Sequence, residues 1–285
     1  MTSPAALLNK WNIQAKKQYG QNFLSDSSIA QSIASRSGVG PKDVVLEIGA
    51  GLGALTIPLS KIAGKIYAIE KDPRIIPILQ DELDSHHIDN IVLLNENILT
   101  VDIEHVAEDK NRKIVIVGNL PYNISSQILV RMIRSRHIIH HAVLMFQKEL
   151  AQRIKATPGN RDYGRLSAML QYCADIKTLT EVKASAFFPK PKIDSEVLYV
   201  QFKKEIPLPA TDEDLLFKVI KAAFGQRRKT LKNSLAGSQL PMDAATAGSV
   251  LEQSGIDPSR RAETLSIDEF TVLSNNVVPY TTDSV

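Results

Sequence analysis

Short apolar segments alternate with helical patterns along the first two thirds of the chain. The apolar segments are rich in β-branched residues, which is typical of strands buried on both faces of a parallel sheet. They cover residues 44–48, 65–69, 91–94, 114–118, 142–146, 179–182 and 197–202. Amphipathic helical patterns follow several of these segments. The alternation predicts an α/β fold with a mostly parallel sheet.

The last part of the chain differs from the rest. Pro207-Leu208-Pro209 forms a short, stiff linker, and beyond it only helical patterns occur, broken by Gly and Pro. Those patterns cover residues 212–224, 229–235, 242–253 and 267–274. Residues 1–25 have no clear period. We therefore predict an N-terminal arm at 1–25, an α/β domain at 26–205 and a smaller helical domain at 206–285.

The strand at 114–118 stops abruptly at Asn119-Leu120-Pro121-Tyr122. In open α/β sheets, ligands bind just beyond the carboxyl ends of the strands. Pro121 fixes its own φ and keeps Leu120 out of helical geometry, so the Asn119 side-chain oxygen and the Leu120 carbonyl form two converging acceptors. A nucleobase amino group is the matching donor, and Tyr122 can stack on its ring. The alternative is an ordinary strand-to-helix turn.

A second strand, at 44–48, runs into Gly49-Ala50-Gly51-Leu52-Gly53 and then a helix. This arrangement lets bare backbone approach a ligand at a helix N-terminus. Glu70 ends the next strand, where its carboxylate can accept hydrogen bonds from two ribose hydroxyls. Asn97 follows the third strand, where the adenine of a nucleoside cofactor would lie; a plain loop asparagine is the alternative. Because Gly49, Gly51 and Ala54 also match the glycine pattern of NAD-binding domains, an NAD-dependent oxidoreductase is a second possibility.

Composition excludes several classes. The 285 residues are 44% hydrophobic and 23% charged, as in ordinary soluble proteins. No apolar run approaches the roughly 18 residues of a membrane span, and the N-terminus does not resemble a secretory signal. The single cysteine, Cys173, excludes an internal disulfide and points to a reducing compartment. No Cys/His cluster has metal-ligand spacing, so we expect no metal. Residues 1–25 contain no arginine, which argues against an organellar transit peptide, so we expect the protein in the cytoplasm.

Two basic segments and one aromatic loop are candidates for RNA contact. Residues 1–25 contain three lysines and residues 218–232 contain six basic side chains, both without an acid. Each segment alone is also explained as solvated surface. In the loop 187–195, two prolines stiffen the chain around two lysines. Phe187 is predicted to hold a flipped base opposite Tyr122, although one of Phe187 and Phe188 is expected in the core.

Taken together, these motifs closely resemble those of the small-subunit ribosomal RNA adenine N6,N6-dimethyltransferases, and the resemblance runs from about residue 18 to residue 274. It rests on five motifs in order: Gln21-Asn22-Phe23-Leu24, the glycine loop at 47–56, Asn119-Leu120-Pro121-Tyr122, residues 147–167 and residues 187–195. The resemblance implies a Rossmann-like class I methyltransferase fold, with a mostly parallel seven-stranded sheet and a smaller C-terminal helical domain.

The resemblance also implies a cofactor, S-adenosyl-L-methionine, and the residues that contact it. These are Asn22, Leu24, Gly49, Gly51, Glu70, Asn97 and Asn119. Asn97 departs from the family, which usually has Asp at this position. Its side-chain oxygen can still accept a hydrogen bond from the adenine amino group, so we expect a weakened or re-oriented contact.

The implied catalytic residues are Asn119, Leu120, Pro121, Tyr122 and Phe187. The implied reaction is N6,N6-dimethylation of adenosines in small-subunit ribosomal RNA during ribosome biogenesis, by a monomer acting on the RNA or on a pre-small-subunit particle. Alternatives are an assembly factor that acts mainly by RNA binding, and a large-subunit adenine methyltransferase of the antibiotic-resistance type. The oxidoreductase explains the glycine loop and Glu70 but none of the later motifs.

Overall fold

The computed structural model describes residues 2–106 and 113–280. The strands are β1 (Phe23–Leu24), β2 (Val44–Ile48), β3 (Lys65–Ile69), β4 (Ile91–Leu94), β5 (Ile114–Asn119), β6 (Ile139–Gln147), β7 (Ala174–Val182), β8 (Phe187–Phe188) and β9 (Ser195–Phe202). The helices are α1 (Pro4–Lys10), α2 (Ser27–Arg36), α3 (Thr56–Ser60), α4 (Ile76–Ser85), α5 (Ile103–Val106), α6 (Ser125–Arg134), α7 (Lys148–Lys155), α8 (Arg165–Cys173), α9 (Glu213–Ala223), α10 (Leu231–Ala236), α11 (Ala244–Gln253) and α12 (Ile267–Val277).

A seven-stranded sheet with the order β4-β3-β2-β5-β6-β9-β7 is the centre of the first compact unit. The neighbours from β4 to β6 pair in parallel, and β9 runs antiparallel to β6. The predicted fold class, a mostly parallel seven-stranded sheet with helices, is therefore confirmed. Strands β2 and β5 are adjacent, so the glycine loop and Asn119 meet at the same edge of the sheet.

The sheet is buried because its strands carry apolar side chains on both faces. On one face Val45, Ile66 and Val117 pack with apolar residues of α2 and α3. Strands β1 and β8 form a separate two-stranded sheet, with Phe23 opposite Phe188 and Leu24 opposite Phe187.

Residues 1–25, which we predicted to be an arm without periodic structure, include the short helix α1. Ser3 caps this helix by accepting a hydrogen bond from the Ala6 amide, and Pro4 lies in its first turn. Leu7 and Leu8 are buried in a cluster with Phe23, Leu52, Ile75 and Ile78. A helix of seven residues is too short to give a clear hydrophobic period, which explains why the sequence did not predict it.

The helix after Glu70 also begins later than its sequence suggests. Asp72-Pro73 predicts a helix start, with a bend at Pro77, but α4 begins at Ile76 and Pro77 lies in its first turn. A proline in the first turn leaves no helical hydrogen bond unmade, because amides there have no partner within the helix. The predicted bend is therefore wrong.

The second compact unit consists of Gln152–Ala174 and Lys203–Val285. Helix α8 packs against α9 and α12, and the Tyr172 hydroxyl bonds both Glu213 Oε1 (3.2 Å) and the Ala210 amide (3.0 Å). The predicted boundary at 205/206 treats the helical domain as one continuous segment. Sequence periodicity did not reveal that residues 152–174 join it, because burial of α8 depends on helices 40 or more residues away in the chain.

Across residues 2–106 and 113–280, no helix is both long and apolar enough to cross a membrane. The same part of the chain contains no group of three or more His, Cys, Asp or Glu side chains that could hold a metal ion.

A substitution at Gly118 tests how closely β2 and β5 are packed. A Cβ at Gly118 would lie 2.6 Å from the backbone oxygen of Ile48, so one strand must shift. We expect Gly118→Ala to lower the free energy of unfolding by about 1–3 kcal/mol. At Gly40 of the same unit, a Cβ would be 3.6 Å from the nearest side-chain atom, so Gly40→Ala is the matched control. Chemical denaturation measures both, and equal stability of the two variants would contradict the proposed packing.

Candidate active site

A cleft at the carboxyl ends of β2, β3, β4 and β5 collects most of the predicted site residues. It is lined by Gln18, Tyr19, Gly20, Gln21, Asn22, Phe23, Ile48, Gly49, Gly51, Ile69, Glu70, Lys71, Glu96, Asn97, Ile98, Asn119, Leu120, Pro121, Tyr122, Asn123 and Ile124. The N-terminal segment, the glycine loop and the end of β5 thus surround one cavity, as expected for a parallel sheet.

The glycine loop passes directly beside the end of β5. The amides of Gly49 and Ala50 both donate to the Ile69 carbonyl, at 2.9 and 3.0 Å, which turns the loop sharply after β2. Gly49 has φ +73°, and a Cβ there would lie 3.3 Å from the Asn119 carbonyl oxygen. Only glycine fits both the backbone conformation and the space. The loop therefore leaves bare backbone along the floor of the cleft.

Glu70 is held by the backbone at the end of β3. Its Oε2 accepts a hydrogen bond from the Gly51 amide (3.0 Å) and its Oε1 accepts one from the Asp72 amide (2.8 Å). The side chain is only 8% exposed, and burial raises the pKa of its carboxyl despite these two donors. Each oxygen keeps a further acceptor site, so the fixed carboxylate can receive two hydroxyl groups.

Asp72 connects Glu70 to the N-terminal segment, a role that the sequence did not suggest. Gln21 Nε2 donates to Asp72 Oδ2 (2.9 Å), and Arg74 donates to both carboxylate oxygens, from Nε at 2.9 Å and from Nη2 at 2.6 Å. Burial opposes the charge, but the donors outweigh it and the pKa of Asp72 lies below its ordinary value. The Lys16 amide donates to Gln21 Oε1 (2.7 Å). The segment is therefore fixed across the cleft.

Asn119 is oriented by that same segment. Its Nδ2 donates to the backbone carbonyl of Asn22 at 3.0 Å, and the Leu120 amide donates to the Met145 carbonyl at 3.2 Å. With the amide nitrogen of Asn119 engaged, its Oδ1 is left to act as an acceptor. Asn22 was predicted to contact the cofactor; its carbonyl also holds the side chain that was predicted to receive the target amino group.

Tyr122 is half-buried in the wall of the cleft. Its hydroxyl lies 3.1 Å from Ser195 Oγ, and burial raises the pKa of the phenol. The turn below it is closed by the Ser125 hydroxyl and the Ile124 amide, which both donate to the Pro121 carbonyl. The aromatic ring is therefore neutral and fixed, as stacking on a base requires.

Asn97 also lines the cleft, but its side-chain oxygen already accepts a hydrogen bond from the Leu99 amide at 3.2 Å. This is a local turn in which the side chain caps the following backbone. One lone pair of the oxygen and both amide hydrogens are left for a ligand. The predicted hydrogen bond from an adenine amino group to this oxygen therefore competes with the hydrogen bond from the Leu99 amide.

Two predicted site residues do not line this cleft. Leu24 is buried beside the glycine loop, where it borders a smaller cavity with Gly49, Gly51 and Asn119. Phe187 is 3% exposed and packs in the core of the sheet unit, in register with Leu24. The predicted contact of Phe187 with a base stays a prediction; in this position the ring packs among apolar side chains. Phe188, 41% exposed, is the aromatic that faces solvent.

Arg227 in the second unit shows that the basic segment at 218–232 is not all solvated surface. Its Nη2 donates to the carbonyls of Arg161 (2.6 Å) and Tyr163 (3.1 Å), and it lies 3.5 Å from Glu263. Arg228 and Lys229 are exposed. Arg227, although its side chain is 43% exposed, therefore also stabilises the helical unit. Lys218 and Lys221 of the same segment are exposed as well.

Glu47 is a buried acid that sequence reasoning did not single out. It lies on β2 beneath the glycine loop and is 1% exposed, with Oε2 unpaired. Burial raises its pKa to about 8; the Thr56 side chain opposes this increase and the charge of Glu70 adds to it. The only sequence signal was a charged residue inside an apolar strand, which is unusual unless the acid is neutral.

Glu47 makes stability depend on pH in a defined direction. An acid whose pKa rises from 4.5 to about 8 on folding stabilises the fold most at low pH, and this stabilisation is lost as pH rises through that range. Glu47→Gln keeps the shape without the charge. We expect the variant to melt several degrees above wild type at about pH 9 but close to it at about pH 5. The exposed Asp89→Asn is the control, and a Glu47→Gln variant that follows the wild-type pH profile would contradict the assignment.

The sheet order, the glycine loop, the acid at the end of β3 and the Asn-Leu-Pro-Tyr turn at the end of β5 together define a class I, Rossmann-like methyltransferase. The chain matches the family described as ribosomal RNA adenine dimethylase over residues 12–277. The chain belongs to this family.

Curated relatives agree with this assignment. A protein of Desulforapulum autotrophicum named Ribosomal RNA small subunit methyltransferase A is 50% identical over 275 residues, which is 96% of each chain. A protein of Clostridioides difficile with the same name is 40% identical over 94% of this chain and 93% of its own. The resemblance inferred from the five motifs is therefore confirmed, and the oxidoreductase alternative is excluded.

Two solved structures share the fold. A dimethyladenosine transferase from Plasmodium falciparum superposes with a TM-score of 0.75 at 26% identity, covering 88% of this chain and 95% of the other. The 23S rRNA methyltransferase ErmE superposes with a TM-score of 0.66 at 24% identity, covering 90% and 100%. At 24% identity, the likeness to ErmE shows only that the two proteins share a fold.

Proposed function

We propose that this chain dimethylates the N6 amino group of adenosines in small-subunit ribosomal RNA, with S-adenosyl-L-methionine as methyl donor. The observation that carries the proposal is the hydrogen bond from Asn119 Nδ2 to the Asn22 carbonyl, which leaves Asn119 Oδ1 as an acceptor in the cleft. Relatives named Ribosomal RNA small subunit methyltransferase A match the chain almost from end to end. The enzyme would act as a monomer in the cytoplasm, on the RNA or on a pre-small-subunit particle.

The cleft fits the cofactor by its donors and acceptors. S-adenosyl-L-methionine supplies the methyl group on a positively charged sulfur. Glu70, fixed by two amides, is suited to accept the two ribose hydroxyls, and Gly49 leaves free space beside Asn119 that a side chain would fill. Asn22 and Gly51 would line the same path, and Leu24 would support the loop from behind. Asn97 would contact the adenine mainly through its amide nitrogen, since its oxygen is partly engaged.

The residues at the end of β5 would act on the target amino group. The Asn119 Oδ1 and the Leu120 carbonyl can each accept one of its hydrogens, which favours a pyramidal nitrogen whose lone pair is less delocalised into the ring. The same acceptors stabilise positive charge that develops on the nitrogen during transfer. Neither oxygen is basic enough to retain a proton, so the proton leaves to water. Pro121 keeps the turn rigid, and Tyr122 would stack on the base.

The direct test is transfer of labelled methyl groups from S-adenosyl-L-methionine to small ribosomal subunits that lack adenine dimethylation, with large subunits and naked ribosomal RNA in parallel. We expect label in the small subunit, recovered as dimethyladenosine after digestion to nucleosides. Label confined to the large subunit would contradict the proposal in favour of the resistance-type activity. Tight binding to the small subunit without any label would contradict it in favour of an assembly factor.

Asn119→Ala separates catalysis from cofactor binding. The variant loses the oriented acceptor but keeps Glu70 and the glycine loop, so we expect turnover to fall by about a hundredfold or more, with the dissociation constant of S-adenosyl-L-methionine changed by less than about threefold. Steady-state methyl transfer and calorimetric titration measure the two quantities. Asn9→Ala, which removes an exposed asparagine side chain of α1 that does not line the cleft, is the control. An equal loss of turnover and of cofactor affinity would argue against the role assigned to Asn119.

A further inference from the structure

The segment 188–193 exposes apolar and basic side chains together. Phe188 and Ile193 are each 41% exposed, which is unusual for side chains of this size. Lys190 and Lys192 lie between them in sequence, and both are exposed. Within residues 2–106 and 113–280, no carboxylate pairs with either lysine, whereas the nearby Lys183 is paired with Asp194 at 3.0 Å. The segment therefore carries two free positive charges beside two apolar groups.

Both ends of this segment are fixed to residues of the cleft. At the first end, Phe188 pairs across the small sheet with Phe23, which follows Asn22 in the chain and lines the cleft. At the other end, Ser195 Oγ lies 3.1 Å from the Tyr122 hydroxyl. The backbone that carries the exposed side chains is therefore connected at both ends to residues of the candidate active site.

Hydrogen bonds of Asp194 fix the backbone next to this segment. Its Oδ1 accepts a hydrogen bond from the Ala184 amide (2.8 Å), and its carbonyl accepts one from the Lys148 amide (2.9 Å). Two prolines, Pro189 and Pro191, restrict the backbone between the exposed side chains. A fixed backbone reduces the entropy lost when exposed side chains bind a partner.

We infer that segment 188–193 is an RNA-contact surface beside the cleft, in which Phe188 stacks on a base adjoining the target adenosine and Lys190 and Lys192 bind the flanking phosphates. This inference rests on the proposed function. An adenosine that enters the cleft must leave its stack, and an aromatic ring can cover the neighbouring base that this exposes. Lysines that alternate with aromatic and apolar side chains fit a partner with both phosphates and base faces. Since Phe187 is buried, Phe188 is the aromatic available for this contact.

The first test compares Phe188→Ala with Phe188→Trp in methyl transfer to small subunits. Loss of one stacked base predicts a fall of about tenfold in kcat/KM for the alanine variant, with the tryptophan variant within about threefold of wild type. The melting temperature and the affinity for S-adenosyl-L-methionine should stay unchanged in both. Val92→Ala, which removes an apolar side chain of similar exposure in the same unit, is the control. Wild-type kcat/KM for Phe188→Ala, or failure of tryptophan to restore it, would overturn the inference.

The second test uses salt dependence, which a purely structural role of the lysines would not change. Each phosphate contact contributes roughly 0.7–0.9 to the slope of log affinity against log salt concentration. For the double variant Lys190→Gln with Lys192→Gln, we expect the slope for small-subunit binding to fall by about 1.4–1.8. Lys42→Gln with Lys61→Gln, which removes two exposed lysines elsewhere in the same unit, should leave the slope unchanged. Equal slopes for the two double variants would contradict the inference.

Failure of the proposed function gives a different result from failure of this inference. Absence of methyl transfer by the wild-type enzyme to any ribosomal substrate refutes the proposed function. In that case, the affinities of Phe188→Ala and of wild type for small subunits are compared directly. Weaker binding by the variant supports the inference that segment 188–193 contacts RNA, and equal binding refutes it.

Discussion

The hydrogen bond from the Asn119 side chain to the Asn22 carbonyl determines what the end of β5 can do. A side-chain amide can present either its donor or its acceptor to a ligand, and the two choices recognise opposite groups. The Asn22 carbonyl accepts only, so it selects the orientation in which Asn119 presents oxygen to the cleft. The site is therefore prepared for a donor, such as an amino group, before any ligand arrives.

That carbonyl is itself positioned by contacts at some distance from the reacting group. Gln21, the preceding residue, is fixed by Asp72, and the Asp72 amide in turn fixes Glu70. The N-terminal segment thus connects the acid proposed to hold the cofactor with the amide proposed to hold the base. We infer that loosening this segment affects both groups.

Much of this fold was predictable, because burial in a parallel sheet leaves a strong local signal. The predicted segments at 44–48, 65–69 and 91–94 match β2, β3 and β4 residue for residue. Features that depend on distant contacts gave no such signal. Helix α1 is too short to show a period, and α8 is buried only by helices of the second unit. Sequence proximity to the prolines made Phe187 a candidate for base contact, whereas strand alternation in β8 turns Phe187 inward and Phe188 outward.

The measurement that tests the account most directly is the single-turnover rate of methyl transfer by Asn119→Asp. This variant keeps the acceptor oxygens but replaces the nitrogen that donates to the Asn22 carbonyl. If orientation by that carbonyl matters, the repulsion between the two oxygens should slow transfer by about tenfold or more, although the acceptors remain. A variant that transfers methyl groups at the wild-type rate would show that the acceptor alone suffices and that the Asn22 contact does not govern the site.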